Sequence, residues 1–345
     1  MQKEFKNILI IKPSALGDII MAMPAMSALH RNFPNAKISW LVRTEFAPMI
    51  ENHPHLDNII LFDRRFLGKA WYNPRAFAAV ISLIWRLHSF RFDAVFDFQG
   101  LFRTASLSWL SGSKKRFGIA KAREFAHLFY TQKIQQDKDC IHLVDYYLKI
   151  LQAAGVTDTS VEFVLPENPQ AEESIRKLLD EHNIKSNSYA VFVPGSAHLD
   201  KCWPAERFAA LAEKISGKFG LPIVAAGTDS EKSIVEKMKD TADVPIVNLA
   251  GKTKISDLTA LLKGAKLVVS NDTGPGHIAA ALAVPLVLIF GRSNPARVAP
   301  YKRNDCVAAI DPDTRGFKPD SFDAKYDIKN ITVDHVFKKV CKQLV

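Results

Sequence analysis

An α/β fold of two doubly wound domains is what the sequence predicts, and three observations predict it. Short apolar runs alternate with amphipathic stretches, the alternation restarts past the midpoint, and 345 residues exceed one typical domain. With 48% hydrophobic residues, each half has enough apolar side chain for a core of its own.

The elements follow in order. Ile8–Ile11 reads as a buried strand, and a turn at Ser14–Gly17 leads into a helix over Asp18–Arg31. Strands are expected at Lys37–Val42 and Asp57–Leu61, a helix at Pro74–His88, and a strand at Ala94–Phe96. Helices at Leu101–Leu110 and His142–Ala153 complete the first half. The second half restarts with a strand at Tyr189–Val193, a helix at Pro204–Phe219, a strand at Pro222–Ala226 and a helix at Ser230–Lys239. A strand at Leu267–Val269, a helix at Gly276–Ala283 and a strand at Leu286–Phe290 follow. Strands separated by helices imply parallel sheets with crossover connections, whose ligands bind at the carboxyl ends of strands. The Pro-rich polar stretch Leu165–Gln170 breaks both periodicities. The halves are therefore expected to join between about Phe163 and Asn187, through a helix at Glu172–His182, giving domains at 1–165 and 185–325 facing across a cleft.

Composition excludes several classes. No apolar run approaches the ~20 residues of a spanning helix, and no signal-peptide pattern follows Met1, so a cytoplasmic protein is expected. Cys140, Cys202, Cys306 and Cys341 are scattered without a C-x-x-C pair, which argues against disulfides and against a zinc site. The net charge of +10 is concentrated between Leu61 and Lys133, with 13 Lys and Arg against four Asp and Glu. That excess suits an anionic partner, with a solvated basic face as the lesser alternative. It lacks the aromatic pattern of nucleic-acid modules, and no nucleic-acid partner is expected. The helix around Phe77–Leu87, flanked by Arg75, Arg86, His88 and Arg91, reads either as a core helix or as one lying on lipid headgroups.

Four loops carry chemistry. In Val268–His277 a buried strand runs into a loop with two glycines and then a small-residue helix. Free amides at a helix start, with the macrodipole behind them, favour an anion. Thr273 adds a hydroxyl and His277 lies one turn inside; the plainer reading is Asp272 as helix cap. The loop is neither G-x-x-x-x-G-K nor G-x-G-x-x-G, which weakens a dinucleotide reading. After Val193-Pro194-Gly195-Ser196, Lys201 sits in a strand-to-helix loop, either a phosphate partner or a solvent lysine. Glu231 follows another strand end, placed either for ribose hydroxyls or as a first-turn acid. Near the N-terminus, Asp18 opens the first helix after Lys12–Gly17, and reads as a proton acceptor or as a cap.

Taken together, Lys12-Pro13-Ser14-Ala15-Leu16-Gly17-Asp18, Arg64-Arg65, Asp97-Phe98-Gln99-Gly100-Leu101, Asp200-Lys201-Cys202-Trp203-Pro204 and Asp272-Thr273-Gly274-Pro275-Gly276-His277 resemble the family-nine glycosyltransferases, the lipopolysaccharide heptosyltransferases among them. The resemblance spans most of the chain. It implies a GT-B fold of two Rossmann-like domains, with a C-terminal helix in 331–345 crossing back to the first domain. It implies ADP-heptose in the second domain, with Lys201 and the amides near Thr273 and Gly274 on the diphosphate. Ser196 and His277 would support that site, Glu231 would take ribose, and Asp272 would orient the heptose. A Kdo sugar of a lipid A precursor would bind the first domain at Ser14, Gly17, Arg64, Arg65, Gln99 and Arg123, with Asp18 as general base. No essential metal or cofactor is implied, and the lipid acceptor implies peripheral contact with an anionic inner membrane. Ser196-Ala197 departs from the pattern, which often has two hydroxyl residues there. Another acceptor, such as a second heptose or a protein, and a non-catalytic nucleotide-sugar-binding module remain as alternatives.

Overall fold

The structure is a computed structural model that describes residues 4–344. By contact the chain divides into two units, Met1–Pro166 and Glu167–Val345. Among the described residues each unit holds one six-stranded sheet, and every strand pairing in both is parallel.

The first unit runs β1 (Asn7–Ile11), α1 (Leu16–Asn32), β2 (Lys37–Val42), β3 (Asn58–Leu61), α2 (Arg64–Leu67), α3 (Pro74–Ser89), β4 (Ala94–Asp97), α4 (Phe102–Leu110), β5 (Arg116–Ile119), β6 (Gln132–Ile134) and α5 (Leu143–Gln152). Its sheet order is β3-β2-β1-β4-β5-β6. β1 sits at the centre because Ile8–Ile11 are apolar on both faces and helices cover both sides. α1 is buried from Ile19 to Leu29 and packs on α5. On a second apolar cluster, Leu83 and Leu87 of α3 and Leu107 of α4 meet Leu9, Leu41, Ile60 and Val95 from the strands.

The second unit runs α6 (Pro169–Asp180), β7 (Ala190–Val193), α7 (Ala205–Phe219), β8 (Ile223–Ala225), α8 (Lys232–Thr241), β9 (Ile246–Asn248), α9 (Ile255–Lys263), β10 (Leu267–Asn271), α10 (Gly274–Ala281), β11 (Leu286–Ile289), α11 (Pro295–Val298), β12 (Val307–Ala308) and α12 (Val333–Leu344). Its order is β12-β11-β10-β7-β8-β9. α6 belongs to this unit: its apolar stripe Ala171, Ile175 and Leu179 is buried, it packs on α9, and Glu172 pairs with Lys263 at 2.7 Å.

Within the second unit the C-terminal helix has a covered face: α12 packs on α7 and β11, and Val336 and Val340 are buried in the second core beside Phe208 and Ile215. The approach to it is pinned there as well. Trp203 Nε1 donates to the Ile331 carbonyl at 2.8 Å, and Arg207 reaches the same oxygen at 2.6 Å. An amphipathic helix goes where its apolar stripe is covered, and here that is the face of its own sheet.

Candidate active site

In each sheet the chain winds outward in opposite directions from a central pair of strands. The switch falls between β1 and β4 in the first unit and between β7 and β10 in the second. Loops leaving the carboxyl ends of such a pair diverge and leave a crevice. The loops that carry Asp18, Gln99, Lys201 and Asp272 leave those four strands, and the Glu231 loop leaves the neighbouring β8.

In the second unit Asn271 stitches the two loops together. Its fully buried amide donates from Nδ2 to the Pro194 carbonyl at 2.8 Å and accepts at Oδ1 from the Trp203 amide at 3.1 Å. Asp272 follows, buried, with both carboxylate oxygens engaged: Oδ2 takes Lys201 Nζ at 3.0 Å and Oδ1 lies 3.2 Å from His277 Nε2. Burial alone would favour the protonated acid. The His277 hydrogen bond, the Lys201 and His277 charges and a bond from Ser293 prevail, and hold its pKa far below the usual carboxylate range. Asp272 is thus a fixed anion that holds a half-exposed ammonium at the mouth of the site.

Behind it α10 opens at Thr273. That residue has an extended backbone, but its hydroxyl turns toward Ser270 Oγ at 3.1 Å and caps no amide of the helix. Pro275 contributes no N–H, which leaves the Gly274 and Gly276 amides at the positive end of the helix without a side-chain cap. Gly276 is required by packing: a Cβ there would run into the Leu288 side chain of β11. Without it, α10 seats tightly on the sheet. Gly195 serves the neighbouring loop, because a Cβ would strike the Glu231 side chain. Glu231 is held across it by the Thr228 amide at 2.6 Å and the Thr228 hydroxyl at 2.8 Å, both on Oε2. Ser196 Oγ accepts from the His198 amide at 3.3 Å. Ammonium, uncapped helix end and nearby carboxylate form a receptor for an anion that also carries hydroxyls.

In the first unit Asp18 does not cap α1. The helix begins at Leu16, and Asp18 reaches back to the Ala15 amide at 3.3 Å from the third position. The same oxygen, Oδ2, takes Lys12 Nζ at 3.2 Å. Asp18 is partly open to solvent, whereas Lys12 is buried, and among the described residues no protein donor meets Asp18 Oδ1. Burial opposes the Lys12 charge, yet the adjoining Asp18 carboxylate and the Tyr147 phenol more than offset it and hold its pKa above the ordinary lysine value. The Lys12 carbonyl accepts from Trp40 Nε1 at 3.1 Å, which fixes the backbone beneath. One bound and one free carboxylate oxygen is the arrangement a proton acceptor needs.

The adjoining loop after β4 is organised by Asp97. Its Oδ1 accepts from the Gln99 and Gly100 amides at 2.8 and 3.2 Å, and Tyr130 donates to Oδ2 at 2.8 Å. Burial raises the Asp97 pKa against those bonds. The Tyr130 ring crosses β5 over Gly118, where any Cβ would collide with it. Gln99 is presented at this edge with its Oε1 buried and unpartnered. The Arg123 amide donates to the Gly100 carbonyl at 3.2 Å, so that loop lies beside Gln99. Arg64 and Arg65 open α2, which follows β3 two strands away from β1, and both are exposed. Ser14, Gly17, Asp18, Gln99 and Arg123 therefore share one end of the first sheet, with Arg64 and Arg65 farther along it. Lys12, Asp97 and Tyr130 were assigned no role from sequence, nor was Asn271. Lys12 and Asn271 carry a signal in the sequence, since Lys12 opens the motif that ends in Asp18 and Asn271 directly precedes Asp272; Tyr130 carries none.

Comparison with known proteins gives these loops a family. The model of "Glycosyltransferase family 9 (heptosyltransferase)" matches residues 80–320. The lipopolysaccharide core heptosyltransferase OpsX of Haemophilus influenzae is 26% identical over 309 residues, covering 88% of this chain and 84% of that protein. The lipopolysaccharide heptosyltransferase 1 of Salmonella typhimurium is 28% identical over 303 residues, covering 86% and 92%. In fold, the chain resembles a family 9 glycosyltransferase from Veillonella parvula, with a TM-score of 0.84 at 22% identity over 100% of this chain and 98% of that one. It also resembles the E. coli heptosyltransferase WaaC solved with ADP-2-deoxy-2-fluoro heptose, with a TM-score of 0.75 at 24% identity over 97% and 99%. The family match covers well over half of the sequence, and the chain belongs to glycosyltransferase family 9, a transferase family with the GT-B fold.

Proposed function

We propose that the protein transfers L-glycero-D-manno-heptose from ADP-heptose to a Kdo residue of the lipopolysaccharide inner core. The observation that carries this reading is the Lys201 ammonium, held by Asp272 beside the uncapped start of α10, which offers a positive group and free helix amides of the kind a nucleotide diphosphate requires. Relatives named as lipopolysaccharide heptosyltransferases support the sugar and its destination.

In this reading Asp18 removes the proton of the attacking hydroxyl through Oδ1, while Lys12 keeps a cation on Oδ2. The hydroxyl displaces ADP in a single step and inverts the anomeric carbon. Lys201 and the α10 amides take up negative charge as it grows on the departing diphosphate, where a preorganised donor is most effective. Glu231 Oε1 is free to accept from ribose, and Ser196 and Thr273 offer hydroxyls to phosphate. Asp272 acts on the donor chiefly through Lys201, since both its oxygens are engaged. Countercharge to the leaving group comes from Lys201 and the α10 amides, and the reading requires no metal. Gln99, Arg64, Arg65 and Arg123, with Ser14 and Gly17 beneath, form the side that receives the acidic acceptor. A heptose acceptor is the second reading, because an E. coli relative at 26% identity is named lipopolysaccharide heptosyltransferase 3.

Radiolabelled ADP-heptose incubated with Kdo-lipid A in EDTA should yield labelled lipid. Label moving only to a core already carrying heptose would favour the second reading, and no transfer to either would remove both.

A further inference from the structure

Helix α3 is apolar on two sides. Ala76, Leu83 and Leu87 are buried, and the two leucines pack into the first unit's core. Phe77, Ile81 and Trp85, four residues apart and hence on one stripe, are 57%, 39% and 70% exposed. Just ahead of the helix Trp71 and Tyr72 stand 85% and 57% exposed, ring against ring at 4.6 Å. Scattered apolar residues are ordinary on a surface, but a continuous apolar stripe marks a place where something docks. Its surroundings are cationic. Between Leu61 and Phe92 there are six Lys and Arg and one acidic residue, Asp63, whose carboxylate is engaged by the Phe66 amide. Arg64, Arg65, Lys69 and Arg75 are exposed and, among the described residues, take part in no ion pair.

We propose that this outer face of α3, with Trp71 and Tyr72, docks into the headgroup layer of an anionic phospholipid bilayer. The helix lies in the plane of the surface, aromatic rings inward and cations at phosphate level. Tryptophan and phenylalanine beside arginine and lysine suit that layer, where rings meet acyl chains and cations meet phosphate. Charge argues against a second copy of the chain as occupant, since self-association would set the same unbalanced cations against each other. The purpose of the surface rests on the lipid-borne acceptor proposed above; its physics rests on α3 alone.

The test uses the full chain, without donor or acceptor, sedimented with vesicles of phosphatidylglycerol and phosphatidylcholine or of phosphatidylcholine only. Binding should be at least about tenfold stronger to the anionic vesicles at low salt and weaken as salt rises. Phe77→Ser/Ile81→Ser/Trp85→Ser should lose about tenfold or more of that binding, and Trp85→Ser alone should lose part of it. Both variants should keep the parent's melting temperature and its turnover on an acceptor stripped of fatty acids. No preference for anionic vesicles, or undiminished binding by both variants, would overturn the proposal. So would a dimer of the parent in velocity sedimentation that the triple substitution dissolves. Vesicle binding that persists when Kdo-lipid A proves not to be the acceptor would leave α3 as a docking face and defeat only the acceptor reading.

Discussion

Lys12 is a buried cation whose partner is the carboxylate proposed as general base. Placing an ammonium in a core is costly unless its charge is met, and Asp18 meets it at 3.2 Å. Lys12→Met removes that cation and leaves Asp18 with the Ala15 amide alone on Oδ2. Turnover should fall about tenfold or more, with ADP affinity unchanged, because the proposed diphosphate receptor lies on the other unit. Unchanged turnover in steady-state kinetics would reduce Lys12 to a packing residue. His53 is a second residue with a measurable consequence. Its Nε2 lies 2.8 Å from the Val164 carbonyl and its Nδ1 accepts from the His55 amide at 3.1 Å, a pairing that only the neutral ring satisfies. Burial, opposed by the Val164 bond and reinforced by the His55 and His30 charges, pushes its pKa down to about 4. The folded state therefore resists protonation while the unfolded chain accepts it near pH 6.5. Stability from this residue is complete above that value and is lost as pH falls from 6.5 toward 4, by about 3 kcal/mol in all. Urea titrations at pH 7 and pH 4.5 should show the loss, and His53→Gln should flatten it; an equally steep fall in the variant would assign it to other groups.

The elements differ in how plainly the sequence announces them. Long periodic stretches are legible: α3 is expected at Pro74–His88 and found at Pro74–Ser89, and Lys37–Val42 is β2 as read. The short strands escape. β5 is Arg-Phe-Gly-Ile, β6 is Gln-Lys-Ile and β12 is two residues long, so none has enough apolar side chain to show a period. They become strands because a neighbouring edge offers backbone partners, which is tertiary information. α10 begins two residues earlier than expected, since Gly274 and Pro275 disfavour a helix interior but suit its first turn. That start carries the next prediction. Gly276→Ala drives a methyl into Leu288 and lifts the first turn from the sheet, at a cost of about 1–3 kcal/mol. ADP should bind roughly tenfold more weakly by calorimetry while turnover at saturating donor changes less. Parent-like affinity would mean that Leu288 repacks and the helix stays in place.

At the scale of the whole molecule the chemistry is divided. In the proposed reading, the proton acceptor and the basic acceptor side belong to Met1–Pro166, and the diphosphate receptor belongs to Glu167–Val345. Asp18→Ala should therefore lower turnover by about 10² to 10⁴ and leave ADP affinity nearly intact. Arg64→Ala/Arg65→Ala should raise the acceptor KM far more than the donor KM. A donor-side effect of equal size in either variant would contradict the division. The motif loops were legible because chemistry confines residue types to strand ends. The stitching by Asn271 and the Tyr130–Asp97 bond were not, because their partners stand 77 and 33 residues away in sequence. The helix α12 is a different case, read at 331–345 only through the resemblance. That last helix fills the second core with Val336 and Val340, and so sets an order of events during synthesis. The first unit can close while translation continues, but the second unit keeps an oily seam against α7 and β11 until residues 333–344 clear the ribosome. A nonsense codon just ahead of Val333 would thus spare the first unit and leave the second prone to aggregation.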